Sequence, residues 1–187
     1  RARLSSLRAD VTDRRQVAGA LEGARACVFA ATAGAAASAL AVDAVAPAAA
    51  AAAARRAGRA RVGLVSGAGV HHPRSQAYRL LNLFGRRMDH KVAGEEGVRA
   101  AYEGAPAGVR YTGGRPSGLT DAPPRGAAQL TVRQGDGAAG RVSRGDVAEI
   151  IAELCACADG NGDDQELAAN ATFELYDTGS GVPAHTL

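Results

Sequence analysis

The sequence has no tryptophan, and aromatic residues make up only 4% of its 187 residues. The sequence contains a single lysine, Lys91, and every other residue counted as Lys or Arg is arginine. The net charge of +3 comes from arginines scattered along the chain, with no aromatic-rich strand beside them on which bases would stack. These absences argue against nucleic-acid binding and favour a solvated surface that uses arginine in place of lysine.

Cysteine and histidine are too few to build a disulfide framework or a metal site. Cys27, Cys155 and Cys157 form an odd and sparse set. Such a set favours a reducing compartment, whether the cytoplasm or an organelle stroma or matrix. None of the four histidines has the spacing of a zinc ligand set, so we expect no metal.

Long hydrophobic runs suited to a membrane are also lacking. The segment Ala26 to Ala54 contains Asp43 as its only charge, and its length would permit a span of about 20 residues. Alanine is a weak membrane residue, however, and both Asp43 and Pro47 interrupt the run. We therefore expect no transmembrane helix, and the small side chains predict close contact between a helix and a sheet.

Apolar strand patterns alternate with helical periodicities along the chain. Short, wholly apolar runs favour a parallel sheet that is covered on both faces. The predicted strands are Leu4–Ala9, Ala26–Ala30, Val62–Ser66, Val109–Thr112, Gln129–Arg133 and Thr172–Tyr176. The predicted helices lie between Thr12 and Gly23, at Ser38–Arg56 with Pro47 kinking it or starting its second half, at Tyr78–Tyr102 with a break near Gly85, and after Ser143. The pattern predicts one α/β domain over residues 1–187, a parallel sheet with helices on both faces.

Two helix starts carry capping signals. Asp13 or Thr12 can cap the first helix, with Gln16 at the capping-box position of Asp13. Ser143 can cap the last helix, with Asp146 at the corresponding position.

A glycine-rich phosphate loop that opens a helix is absent from the sequence. Gly135–Gly140 matches G-x-G-x-x-G literally, but it does not open a helix, and Asp136 would repel phosphate. We interpret it as a turn. Gly67-Ala68-Gly69 follows a strand but is not followed by a helix either, and we interpret it as a plain loop.

One stretch, Arg87 to Asp121, resembles a known family. Lys91 is followed four residues later by Glu95, then by an amphipathic helix, a short strand and the run R-P-S-G-L-T at residues 115–120. This combination is similar to the atypical short-chain dehydrogenase/reductases, the NAD(P)-binding branch that includes NmrA-like proteins. The resemblance covers most of the chain. It implies a Rossmann-like fold and an NAD(P) cofactor.

On this resemblance, the first strand, the phosphate loop, the first helix and the second strand would precede Arg1, so we expect the first βα unit to be missing. Leu4 to Val11 then resembles the third strand of the fold. Asp10 would accept a hydrogen bond from the adenine amino group, and the Val11 amide would contact the ring. Asp10 suits a helix-capping role equally well.

The ends of the later strands would face the nicotinamide side. Ala31 and Thr32 lie in a run similar to the loop along the nicotinamide ribose, although a tight turn of small residues has the same composition. Ser66 is similar to the catalytic serine that ends the fifth strand, and Ser–Gly is also a common turn at a strand end. The backbone of Arg115-Pro116-Ser117 resembles the loop that covers the nicotinamide carboxamide, with Arg115 as a structural anchor as the alternative.

Lys91 corresponds to the family's active-site lysine. There it would bind the ribose hydroxyls and lower the pKa of a nearby tyrosine in enzymes that have one. That tyrosine lies four residues earlier, where this chain has Arg87, and Tyr78 and Tyr102 have the wrong spacing to replace it. A positioned proton donor contributes about 100- to 10,000-fold to rate, so the resemblance leaves catalysis open. The alternative for Lys91 is a surface lysine paired with Glu95.

Two functions follow from these residues. The first is an NAD(P)-binding reductase-like protein that uses Lys91 and Ser66, with a dinucleotide as its partner. The second is a non-catalytic accessory or assembly subunit that uses the same fold to dock against other protein subunits. The sequence does not identify the substrate.

Overall fold

The computed structural model describes residues 4–35, 37–58, 61–83, 85–106, 108–135, 140–156 and 169–179. The strands are β1 (Ala26–Phe29), β2 (Arg61–Val65), β3 (Tyr111–Pro116), β4 (Gly118–Thr120), β5 (Leu130–Arg133), β6 (Arg141–Ser143) and β7 (Ala171–Asp177). The α-helices are α1 (Arg14–Ala20), α2 (Ala46–Arg56), α3 (Gln76–Asn82), α4 (Arg87–Tyr102) and α5 (Arg144–Ala156). A π-helical segment, Leu40–Val45, leads into α2, and a 3₁₀ turn, Ala127–Gln129, leads into β5.

The main sheet has the strand order β1-β2-β3-β7-β5. The first four strands run parallel, and β5 pairs with β7 in the antiparallel direction. A second sheet contains the parallel pair β4 and β6. Because parallel strands end at the same edge, the loops after β1, β2 and β3 meet at one side of the sheet, where open α/β folds bind ligands.

Helices cover both faces of the main sheet, which confirms the predicted α/β fold. On one face, α2 and α4 pack on a core that includes Val62, Leu64 and Tyr111. On the other face, α5 packs through Val147 and Ile151, which are 5% and 1% exposed.

The alanine-rich helix divides before Pro47, as the sequence predicted. Proline has no N–H, so it cannot donate to the carbonyl of Asp43 four residues earlier. The chain before it forms the π-helical segment, in which the Ala46 N–H reaches back five residues to Ala41. Regular α-helix continues from Ala46 with Pro47 in its first turn. This change in pitch places Asp43 on a segment that faces α4.

The strand predicted at Leu4–Ala9 is wrong. Residues 4–10 form no strand, and Leu4 and Leu7 are 98% and 73% exposed. A strand requires a neighbour for its backbone N–H and C=O groups. Within the described residues β1 is the outer strand of the main sheet, and residues 4–10 pair with no strand of it.

The strand predicted at Val109–Thr112 continues further than expected. β3 runs from Tyr111 to Pro116, so the loop predicted from Gly113 onwards is wrong. The two glycines there allow close packing instead of a turn. A Cβ on Gly114 would lie 2.9 Å from Cδ1 of Ile151, a distance that real Cβ atoms avoid.

The predicted helix starts and the break near Gly85 are confirmed. Asp13 caps α1 by accepting from the Arg15 and Gln16 amides. The helical stretch that ends at Tyr102 divides into α3 and α4, with Gly85 and Arg86 at φ angles of 81° and 52° between them.

Within the described residues, no helix has both the length and the apolar character needed to cross a membrane.

Candidate functional site

The carboxyl ends of β1 and β2 meet α4 and the π-helical segment around a narrow cleft. Main-chain hydrogen bonds continue past β2, because the Ser66 amide donates to Gly114 and the Ala68 amide donates to Pro116. These bonds fix the chain where it leaves the sheet. The cleft is lined by Phe29, Ala31, Asp43, Pro47, Leu64, Val65, Ser66, Lys91 and Gly94. Three of the predicted site residues, Ala31, Ser66 and Lys91, are therefore brought together.

Asp43 is the centre of the polar contacts in this cleft. Its carboxylate accepts a hydrogen bond from the Thr32 hydroxyl at 2.6 Å and another from the Ala33 amide at 3.2 Å. The Lys91 ammonium lies 3.4 Å from the same carboxylate. A buried carboxylate is stable only when it is paired and hydrogen-bonded, and all three partners supply that here.

Lys91 is held by Asp43 and not by Glu95, the partner considered from the sequence. Its side chain is 20% exposed, so the ammonium sits at the border between the cleft and solvent. An ammonium carries three donors. Asp43 faces one side of it, which leaves donors for hydroxyls that enter the cleft.

Two buried hydroxyls at this edge of the sheet have no hydrogen-bond partner among the described residues. They belong to Ser66 and Ser117, whose residues are 9% and 8% exposed. Buried polar groups are almost always paired in native proteins. Both hydroxyls follow the ends of parallel strands, and that of Ser66 lines the same cleft as Lys91.

Arg115 is a structural anchor within the described structure. Its Nε donates to Glu95 Oε1 at 3.1 Å, and its Nη2 donates to Glu95 Oε2 at 2.6 Å. Both residues are buried, at 5% and 4% exposure. The imidazole of His71 lies 3.5 Å from the same carboxylate. This pair joins the end of β3 to α4 one helical turn beyond Lys91, and so helps to set the position of that lysine.

Pro116 and Ser117 belong to the sheet and its edge, and not to a free loop. Pro116 pairs with Leu175 in β7, and its carbonyl accepts from Ala68. The amide of Ser117 donates to the Leu175 carbonyl. The main chain at these two residues is thus engaged within the protein, whereas the Ser117 hydroxyl is not.

Asp10 and Val11 do not line the cleft. The Asp10 carboxylate accepts from the Thr12 amide at 2.9 Å and from the Thr12 hydroxyl at 2.8 Å, which stabilises the turn before α1. These bonds lower the pKa of Asp10. Val11 packs against the core beneath α2. Their predicted contact with adenine stays a prediction.

Neither tyrosine near the site lies beside Lys91 in the cleft. Tyr78 is buried against Val70 and Met88, and its hydroxyl donates to Asp89. Burial, together with that hydrogen bond, raises the pKa of Tyr78 to about 12. Tyr102 makes an edge-to-face contact with Tyr111, 5.7 Å between ring centroids, in the core.

Sequence reasoning missed the role of Asp43, although a signal for it was present. It is the only charged residue between Arg25 and Arg55. A lone acid in an alanine-rich helix must find a partner if that helix is buried, and Lys91 is the only lysine in the chain. The sequence alone does not show which of the many basic residues pairs with Asp43, because that depends on the fold.

Solved structures from several bacteria share this fold. A protein described as an NAD-dependent epimerase/dehydratase, from Bacillus halodurans, has a TM-score of 0.68 at 22% identity, covering 90% of this chain and 71% of that one. The oxidoreductase ylbE from Lactococcus lactis has a TM-score of 0.69 at 19% identity, covering 92% and 71%. A short-chain dehydrogenase/reductase from Veillonella parvula, solved with NADP, has a TM-score of 0.67 at 16% identity, also covering 92% and 71%. No curated protein matches the chain.

The polar groups at the cleft match the chemistry of the sugar and nicotinamide half of a dinucleotide, although the cleft itself encloses only about 10 Å³, so that half would lie at its mouth. That half offers hydroxyls and a carboxamide, and the cleft offers an ammonium with free donors and an unpaired buried hydroxyl. The sequence offers no glycine-rich loop that opens a helix for the pyrophosphate.

The sequence profile of NAD(P)H-binding domains matches residues 1–158, which is most of the chain. The expected NAD(P) cofactor is thereby confirmed, and the three bacterial proteins share the fold. This chain belongs to the NAD(P)H-binding family, with NAD(P) as its cofactor.

Proposed function

We propose that this protein is an NAD(P)H-dependent oxidoreductase of the short-chain type, with the cofactor's ribose and nicotinamide in the cleft between β1, β2 and α4. One observation carries the proposal. Lys91, oriented by the buried Asp43, and Ser66, whose buried hydroxyl has no partner among the described residues, line the same cleft at the carboxyl edge of a parallel sheet.

Lys91 is assigned to the ribose. Asp43 neutralises its charge on the protein side and keeps the ammonium at the cleft border. The donors not facing Asp43 are then directed at hydroxyls in the cleft. A lysine fixed in this way costs less conformational entropy on binding than a free surface lysine does.

Ser66 is assigned to the reacting end of the cleft. The main-chain bond from its amide to Gly114 fixes its backbone, so its hydroxyl has a defined position. The bound cofactor supplies a hydride. Ser66 would donate a hydrogen bond to the substrate oxygen on which negative charge develops, and such a fixed donor stabilises that charge.

Residue 87 cannot act as the proton donor. Arginine remains protonated at any pH compatible with folding and gives up no proton to a substrate. In this proposal the substrate oxygen therefore takes its proton from water at the open side of the cleft. Because a positioned acid contributes about 100- to 10,000-fold to rate, we expect slow turnover and easily measured cofactor binding.

The test is a titration of NADPH fluorescence against the protein and its variants. Lys91→Ala should weaken NADPH binding by about tenfold, the effect of losing one charge-assisted hydrogen bond. Arg99→Ala is the matched control, because it removes a positive charge from an exposed position on the same helix. Ser66→Ala should bind NADPH with little change and slow hydride transfer further.

Circular dichroism of each variant would establish that it is folded before its affinity is compared. Equal affinities of Lys91→Ala and Arg99→Ala would remove Lys91 from the site. Failure of the folded parent protein to bind either NADPH or NADH would refute the proposed function.

The accessory-subunit alternative receives no support from the comparisons and stays a prediction. No described contact identifies a protein partner.

A further inference from the structure

A second groove lies beside the cleft, between the segment after β1 and the start of α4. We refer to it as the α4 groove. Its volume is about 470 Å³, which is within the range of small-molecule sites. Its lining includes Ala33 and Ser38 from the segment after β1, and Arg87 and His90 from α4.

Arg87 and His90 are the basic residues of this groove. Both are half-buried. Neither side chain forms a hydrogen bond or an ion pair with any other described residue. The five donors of a guanidinium match a carboxylate or a phosphate, and those of Arg87 meet neither among the described residues.

Among the described residues, none of those that line the α4 groove is acidic. The two acids that lie nearest in sequence are already engaged. Asp43 holds Thr32, Ala33 and Lys91.

Asp89, between the two basic residues on α4, accepts from the Tyr78 hydroxyl and from the Arg86 guanidinium at 2.8 Å. Its carboxylate is thus already paired with two side chains that are not among the residues lining the groove. The rest of the wall is alanine, glycine, leucine and one serine, and the hydroxyl of Ser38 accepts from the Ala41 amide. The groove therefore combines small, uncharged walls with the positive charge of Arg87.

The groove adjoins the proposed cofactor cleft. Ala33 belongs to the groove wall, and its amide donates to Asp43 in the cleft. His90 precedes Lys91 in the chain, and Arg87 stands one helical turn before it. A molecule in the groove would lie next to the reacting end of a cofactor that contacts Lys91.

We propose that the α4 groove binds the carboxylate of the substrate, and that the substrate class is a small carbonyl compound carrying a carboxylate. This inference rests on the proposed function for the carbonyl, but the carboxylate site stands on the groove itself. The planar guanidinium of Arg87 matches a carboxylate through two parallel hydrogen bonds. His90 supplies a further N–H donor on the same wall.

The probes are 4-carboxybenzaldehyde and its methyl ester, which differ in the negative charge and in one methyl group. Each is titrated against the protein by calorimetry, with and without saturating NADPH. The acid should bind about tenfold more tightly than the ester, the size of one charged hydrogen bond. Arg87→Gln should abolish this preference, and His90→Gln should reduce it.

Arg99→Gln is the control for net charge and should keep the preference for the acid. Arg87→Lys keeps the charge but loses the two-pronged geometry, so it should retain only part of the preference. This second variant keeps the test decisive if Arg87→Gln folds poorly.

The inference is overturned if the folded parent protein binds acid and ester equally. It is also overturned if Arg87→Gln loses NADPH affinity as strongly as acid affinity, because the groove would then face the cofactor's phosphates. A preference that depends on Arg87 but persists without any NADPH binding would support the carboxylate site and refute the proposed oxidoreductase function.

Discussion

The Lys91 ammonium lies 3.4 Å from the carboxylate of Asp43, and this ion pair joins α4 to the π-helical segment that precedes α2. Asp43 is 3% exposed, whereas Lys91 reaches the border of the cleft. Removing one partner should therefore lower the free energy of unfolding by an amount that depends on which partner is removed.

We expect Lys91→Met to destabilise the protein more than Asp43→Asn does. Without lysine, the charge of Asp43 stays buried with only the Thr32 hydroxyl and Ala33 amide, and breaking a buried pair costs about 3–5 kcal/mol. Without aspartate, the lysine can turn to water, so the loss should be about 1–3 kcal/mol. Urea unfolding of the three proteins measures this order. Equal losses would show that Asp43 is not effectively buried.

The bidentate ion pair between Glu95 and Arg115 is also buried, so removing one partner should lower the free energy of unfolding about as much as Lys91→Met does. Glu95→Gln or Arg115→Met each leaves one group buried without its counter-charge, at a cost of about 3–5 kcal/mol in unfolding free energy. The double variant Glu95→Leu/Arg115→Met removes both charges and should recover most of that loss. A double variant as unstable as the sum of the two singles would contradict this account, and urea unfolding distinguishes the cases.

Gly94 sets how closely α4 can approach the π-helical segment. A Cβ there would lie 2.2 Å from the Asp43 carbonyl oxygen, whereas a Cβ on Gly97 would meet only the Ala48 Cβ, at 2.7 Å. Overpacking costs about 1–3 kcal/mol and more where backbone must move. Gly94→Ala should therefore destabilise the protein more than Gly97→Ala does. It should also weaken NADPH binding, because it would shift Lys91.

Gly19→Ala in α1 is the control for helix propensity in these variants. A Cβ there has no neighbour within 4 Å. The change should stabilise the protein by about 0.5–1 kcal/mol. Thermal unfolding of all three variants provides the comparison, and a Gly94→Ala protein as stable as the parent would refute the close approach.

Asp146 should make stability depend on pH. Burial pushes the pKa of Asp146 up, but hydrogen bonds from Ser143, Gly126 and Arg125 outweigh it, and the pKa is lowered from the ordinary 3.8. Because the folded-state pKa lies below that of the unfolded chain, the ionised group stabilises the fold above about pH 4. That contribution is lost as the pH falls through the folded-state pKa.

The measurement is urea unfolding of the parent protein and Asp146→Asn between pH 7 and pH 3. The variant should be less stable at pH 7, and the gap between the two should narrow as the pH falls below about 4. A gap that stays constant across this range would show that the charge of Asp146 does not contribute.

Local signals gave most of the elements. The apolar run at Ala26–Phe29 and the capping pair Ser143 and Asp146 act over a few residues, so their structures follow from nearby chemistry. The prediction at Leu4–Ala9 failed because a strand depends on a neighbour that a local pattern does not contain. The predicted end of β3 was wrong because Gly113 and Gly114 allow close packing against the sheet's neighbours. The sequence does not distinguish a glycine that permits close packing in a strand from one that forms a turn.

The sequence by itself determined the alternation of strands and helices, the parallel pairing of most strands and the break at Pro47, because periodicity and proline chemistry are local properties. Only the tertiary structure decided that Lys91 pairs with Asp43, that Arg115 pairs with Glu95, and that Arg87 and His90 share one groove. Each ion pair joins residues that are distant in the chain, and the wall of the groove opposite Arg87 and His90 comes from the segment after β1. Which charges meet depends on how helices cross the sheet, and that is fixed by the packing of the whole core.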